Sequence, residues 1–219
     1  MPRGAALCRR CDLEIERPAP GACCLCQDAA AAAPGPRCLA CAAAHGPLEA
    51  CVAAAWFGGS AARWVKRFKY AAPGLAGLDP GAEAVALALV REALARMPEG
   101  PPAALVAVPL HPARIRQRGH APASVLAGAA GRALGVPVLR ALLRTRDTPS
   151  QTGKGRLERR QNVAGCFAAP PLELPESVWL VDDVVTTGAT LGEAARALRR
   201  AGARRVAAFC LARTPAPPR

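Results

Sequence analysis

The chain is poor in several things. It has no run of about 18 apolar residues, the length a membrane-spanning helix needs, so no such helix is expected. The opening Met-Pro-Arg-Gly-Ala-Ala-Leu-Cys carries too short an apolar stretch for a secretory leader, and the expectation is a cytoplasmic protein. Acidic residues are few, 16 against 29 basic, which gives a net charge of +13 and a pI of about 10.1. Lysine is scarcer still, present only at Lys66, Lys69 and Lys154, so the positive charge is nearly all arginine. Such a balance favours a polyanion or a phosphorylated substrate, or it reflects a coding bias towards Ala, Arg, Pro and Gly; both readings stand. There are three histidines and no assignable catalytic base. Against these absences, 219 residues with 52% hydrophobic and 21% charged exclude a disordered chain. They suit one medium domain, or one with a small appendage.

The most informative stretch is Val178 to Thr190, Val-Trp-Leu-Val-Asp-Asp-Val-Val-Thr-Thr-Gly-Ala-Thr. Val178 to Val181 is an apolar run suited to a buried strand, and it ends in the adjacent acids Asp182 and Asp183. Thr186, Thr187, Gly188, Ala189 and Thr190 form a short turn, after which Leu191, Ala194, Ala195, Leu198 and Ala201 recur at helical spacing. A helix start offers unpaired backbone N–H groups and the positive end of its dipole, which together hold a phosphate. Gly188 lets the backbone come close, and the threonine hydroxyls add donors. The two carboxylates suit sugar hydroxyls or a magnesium ion instead. The ligand this stretch asks for is a ribose 5-phosphate.

The rest of the chain supplies a frame. Ala103 to Leu110 reads as a buried strand, followed by Pro109, Leu110 and His111 at a turn and the bases Arg114, Arg116 and Arg118. A helix is expected over Ala121–Leu134, a strand over Val136–Leu143, a polar basic loop over Arg144–Gly165, and a last strand over Arg204–Leu211. Strands alternating with helices predict a parallel α/β sheet with its ligand loops at the strand C-termini. Upstream, Glu83–Arg96 reads as a helix and Pro73–Pro80 as a turn. Ala53 to Tyr70 mixes Trp56, Phe57, Trp64, Phe68 and Tyr70 with Arg63, Lys66, Arg67 and Lys69. Ser60 is a candidate N-cap there. Trp64, Val65 and Phe68 share one helix face, which either packs inward or stacks nucleic-acid bases.

Eight of the ten cysteines lie between Cys8 and Cys51. Six form three Cys-x-x-Cys pairs, Cys8/Cys11, Cys23/Cys26 and Cys38/Cys41, repeating every 15 residues. Two such pairs make a structural Cys₄ zinc site, and disulfides are disfavoured in a reducing compartment. Spacing alone fits the first pair with the second, or the second with the third; Cys24, His45 and Cys51 either complete a second site or are spectators. The division expected is a cysteine-rich, zinc-ribbon-like head over 1–52 and a second domain over 53–219.

The Asp-Asp stretch resembles the signature of type I phosphoribosyltransferases, which bind 5-phosphoribosyl 1-pyrophosphate (PRPP). The resemblance implies that Asp182 and Asp183 take the ribose hydroxyls, that 186–190 cradle the 5-phosphate, and that Pro109 to His111 approach the pyrophosphate with magnesium. Val108-Pro109-Leu110-His111, Arg116 to Gly119, Gln151, Arg159, Asn162-Val163 and Phe167 precede the signature in order. Together with the cysteine head and Arg67-Phe68-Lys69-Tyr70, they resemble the ComF family across almost the whole chain. That resemblance implies a type I phosphoribosyltransferase-like fold with a zinc head. It also implies a link to uptake of single-stranded DNA in natural competence, with a helicase as partner. One departure is plain: the family continues Arg-Gly-Phe-Asn-Gln where this chain has Arg118-Gly119-His120-Ala121-Pro122. Two functions follow as expectations, a phosphoribosyltransferase of unknown acceptor, or a non-catalytic DNA-binding or scaffold protein.

Overall fold

The computed structural model describes residues 8–28, 36–44, 46–69, 80–98, 100–147 and 161–215. Its centre is a parallel sheet in the order β1-β6-β5-β2, built from β1 (Cys51–Trp56), β2 (Ala104–Ala107), β5 (Ser177–Val185) and β6 (Arg205–Arg213). Two short strands, β3 (Leu143–Arg144) and β4 (Phe167–Ala168), pair antiparallel beside it. The helices are α1 (Arg9–Leu13), α2 (Leu39–Ala43), α3 (Gly59–Lys69), α4 (Pro80–Leu94), α5 (Pro112–Arg118), α6 (Pro122–Leu134) and α7 (Ala189–Arg200).

Helices cover both faces of the sheet, which is why its strands read as nearly continuous apolar runs. Successive residues of β5 alternate between the faces. Trp179 and Val181 join a cluster with Val65 and Phe68 of α3, Leu89 and Val90 of α4, and Leu126 of α6. Val178 and Leu180 join another with Leu191, Ala194 and Leu198 of α7. The Val178–Val181 strand, its helix and the last strand form where the sequence places them.

Three elements differ from the sequence reading. The segment Val136–Leu143 is no full strand: it makes one bridge, Leu105 with Val138, before β3. Pro137 has no N–H to donate to a ladder, although its carbonyl accepts from Leu105 N–H at 2.9 Å. Strand β1 was not anticipated, because alanine is a weak strand former. It exists through pairing with β6, and Ala53, Ala54 and Ala55 are wholly buried there. Ser60 lies within the first turn of α3, where its hydroxyl donates to the Glu14 carboxylate rather than capping the helix. The Pro73–Pro80 turn and most of the Arg144–Gly165 loop fall outside the described residues.

The cysteine-rich head is keyed into one end of the sheet, and β1 straddles the boundary expected at residue 52. Gln27, in the left-handed region at φ 60°, accepts from Ala53 N–H at 2.9 Å and donates to Ala53 C=O at 3.0 Å. Arg213, at the end of β6, donates to the Gln27 side chain and to the carbonyls of Leu25 and Cys51. These bonds satisfy buried backbone groups that a loosely tethered head would leave exposed.

Candidate functional site

A cleft of about 450 Å³ opens at the C-terminal ends of β2 and β5, within the usual range for a small-ligand pocket. Asp182 and Asp183 lie on its floor, and Thr186, Gly188, Ala189 and Thr190 form one wall. Gly188 sits at φ 75° as the N-cap of α7, a conformation that glycine adopts without steric cost. Its position starts the helix directly at the cleft, so the first N–H groups of α7 supply the anion-binding end of a dipole.

Bases come from other elements. Lys69 ends α3, Arg114 and Arg118 belong to α5, and Arg144 comes from β3; all four line the cleft. The Lys69 ammonium lies 3.1 Å from Asp183 Oδ1, with both side chains mostly buried. Arg114 pairs with Asp147 at 3.3 Å, and the Arg144 guanidinium lies 5.6 Å from the centre of the Phe167 ring. Burial, then the adjacent Asp183 charge, push the Asp182 carboxyl up to about 8 from an ordinary 3.8. The Asp183 N–H, 2.9 Å from Asp182 Oδ1, together with the Lys69 and Arg144 charges, only partly opposes this. Burial and the Asp183 charge favour the protonated form of Asp182, while the Lys69 ammonium sits on Asp183.

In the head, the Sγ atoms of Cys23, Cys26, Cys38 and Cys41 lie within 4.8 Å of one another. The Cys26 and Cys38 sulfurs are 3.8 Å apart. A tetrahedral thiolate site with metal–sulfur bonds near 2.3 Å has edges of about 3.8 Å, so the four side chains fit one ion. Cys23 Sγ accepts N–H bonds from Leu25 at 3.5 Å and Cys38 at 3.3 Å. Against the cost of burial, such bonds help bring its thiol down to about 6, which favours the thiolate a metal needs. The second and third pairs thus make the cluster. Among the described residues Cys8 and Cys11 join no such group, and the Cys8 sulfur instead accepts the Cys11 N–H as the N-cap of α1.

Comparison with known proteins agrees with this geometry. Residues 120–219 match the phosphoribosyl transferase domain model. The chain is similar to "Competence protein F" of Haemophilus influenzae, 38% identical over 116 residues, covering 51% of each chain. It is similar to "Competence protein ComFC" of Streptococcus pneumoniae, 34% identical over 108 residues, 49% of this chain and 47% of that one. It is also similar to "DNA utilization protein YhgH" of Salmonella typhi, 36% identical over 140 residues, 61% and 60% of the two chains. These relatives and the phosphoribosyl transferase domain match support a likeness to the ComF family. The matches cover between 33% and 60% of the length of the curated relatives.

The residues expected at the site do not all reach it. Pro109 and Leu110 line the cleft, but His111 caps α5, its Nδ1 accepting from Ala113 N–H at 3.3 Å. Thr187 stands behind the phosphate wall, where its hydroxyl accepts the Ala189 N–H at 3.4 Å. Where the family has Asn-Gln, Ala121 and Pro122 begin α6, and Pro122 contributes an apolar edge to the cleft. Gln151, Lys154, Arg156, Arg159 and Arg160 lie outside the described residues. Lys69 and Phe57 reach the cleft without having been singled out for it, while Arg144 comes from the basic segment expected to supply charge there. For Lys69 a signal existed, since a lysine is a rarity in so arginine-rich a chain. No helix among the described residues is long and apolar enough to cross a membrane.

Proposed function

We propose that the cleft binds the ribose 5-phosphate moiety of PRPP and that the protein is a phosphoribosyltransferase-like component of DNA uptake or utilisation. The observation that supports this most is convergence. A carboxylate pair, a helix-start phosphate loop and four bases from three further elements meet in one cavity. The loop 186–190 takes the 5-phosphate, and Asp182 and Asp183 take the diol. Arg114, Arg118 and Arg144 face the opposite anionic end, where a leaving pyrophosphate would be stabilised electrostatically. With Lys69 on Asp183 and a proton on Asp182, the acid pair is a poor direct ligand set for magnesium; the ion would arrive with the pyrophosphate. Zinc suits the Cys23/Cys26/Cys38/Cys41 cluster as a structural ion. The link to DNA rests on what the relatives are called. Titration calorimetry with PRPP and magnesium tests the reading: wild type binds, and Asp182→Asn/Asp183→Asn weakens binding by about 100-fold or more, as expected when several charge-assisted hydrogen bonds are lost. Unchanged affinity in the double variant sinks it.

A second reading, a non-catalytic single-stranded DNA binder or scaffold, has one observation behind it. Arg63, Lys66 and Arg67 are exposed on α3, and the Arg67 guanidinium lies 5.2 Å from the Trp64 ring centre. Bases stack on such surfaces and phosphates pair with the charges. Salt-dependent binding to an unstructured oligonucleotide, abolished by Lys66→Glu/Arg67→Glu with the cleft empty of ligand, would favour it.

A further inference from the structure

We propose that Lys69 is a ligand-positioning residue of the ribose phosphate cleft. Its ammonium is the built-in counter-cation of Asp183, and it makes the diol end of the cleft independent of a divalent ion. The inference rests on the ribose phosphate reading above and adds to it a residue and a metal requirement.

The geometry is fixed from several sides. Lys69 is the last residue of α3, and the residue before it, Phe68, is 1% exposed in the core. The Phe68 carbonyl is 3.0 Å from His120 Nε2, and the two rings meet edge to face at 6.5 Å. Core packing and a hydrogen bond across the α5–α6 turn therefore anchor the helix end that carries Lys69. The ammonium meets Asp183 Oδ1 at 3.1 Å, and the same oxygen accepts the Val184 N–H at 2.6 Å. Among the described residues both contacts fall on Oδ1, which leaves Oδ2 acceptor capacity for a ligand hydroxyl. A magnesium ion at this place would have to displace the Lys69 ammonium from Asp183 Oδ1. A neutral diol has no such competition. The residue type matters as well. Lysine is a compact point charge, whereas an arginine fork would engage both carboxylate oxygens and close the pair to a ligand. In a chain with only three lysines among 29 basic residues, a lysine at this position is chemically distinctive.

The test uses ribose 5-phosphate as probe, with calorimetry in buffer freed of divalent ions beforehand and in the same buffer with magnesium, on full-length zinc-loaded protein and with no chelator present. Wild type is expected to bind equally in both. Lys69→Met should bind about 10-fold more weakly without magnesium, with magnesium restoring part of the loss. Lys69→Arg should keep the wild-type Tm yet still bind several-fold more weakly, a split that a purely structural role would not give. Wild-type affinity in Lys69→Met, full affinity in Lys69→Arg, or loss of wild-type binding in the magnesium-free buffer alone each overturns the proposal. Absence of wild-type binding under both conditions overturns the ribose phosphate reading itself, and this proposal with it. A second measurement does not depend on how the variants fold. With only three lysines, the ¹⁵Nζ resonance of Lys69 is separable from that of Lys66. It should shift on adding ribose 5-phosphate while Lys66 stays; an unmoved Lys69 signal overturns the proposal.

Discussion

The cysteine head and the acid cleft both gather ligand-type side chains, and they do so by opposite routes. The head draws its four sulfurs from two knuckles close together in sequence, Cys23/Cys26 and Cys38/Cys41. The cleft draws its charges from β5, α3, α5 and β3, brought together by the sheet and its covering helices. A local cluster can be assembled by its ion alone, while a distributed one depends on the core. Damage should therefore spread differently from the two places.

Loss of the metal separates them most sharply. Structural zinc contributes on the order of 10 kcal/mol of apparent binding energy in small cysteine-rich peptides. Chelation, or Cys38→Ser, should unfold the head and remove bound zinc, read by elemental analysis and circular dichroism. Cys8→Ser should retain the full zinc content, because that residue stands apart from the cluster. Equal loss in both variants would return the question of pairing to where spacing alone left it.

The core that supports the cleft ranks next. Phe68→Ala removes a side chain that is 1% exposed and should cost about 3–5 kcal/mol, measured by urea unfolding with zinc still bound. The anchoring of Lys69 would go with it, so ligand affinity should fall even though no ligand contact was mutated.

Asp182 gives a smaller effect of opposite sign. Its folded-state pKa of about 8 exceeds the ordinary 3.8, so between these values the unfolded chain has released a proton that the folded chain keeps. Stability then falls as pH rises through that window and levels off above it. Asp182→Asn removes the dependence and should stabilise the protein by about 1–3 kcal/mol near pH 8, with little gain near pH 4. A Tm difference that is flat with pH would show that Asp182 is not the buried acid. A site held at such a cost is the usual trade between stability and function. Smallest of all, Gly188→Ala should cost about 1–2 kcal/mol through its left-handed backbone, and it should weaken phosphate binding without touching the head.

Much of this was legible in the sequence because it is local. The strand, the paired acids, the Thr-Thr-Gly-Ala-Thr turn and the helix after it are contiguous, and period and turn chemistry specify them without reference to the rest of the chain. The Cys-x-x-Cys pairs are local in the same sense. Strand β1 escaped because alanines say little about strands until a partner such as β6 is present. His111 looked like a site residue by its place in a motif, and became a helix cap through its rotation.

The sequence by itself determined the class of fold, the strand, turn and helix around the acid pair, and the Cys-x-x-Cys pairs that could hold a metal. Each follows from side chains a few residues apart, whose relation is set by backbone geometry. Only the tertiary structure decided which two cysteine pairs come together, that Lys69 reaches Asp183, and that burial and the Asp183 charge push the Asp182 carboxyl up. Those outcomes depend on distances between segments far apart in the chain and on burial, and both exist only once the helices have closed over the sheet.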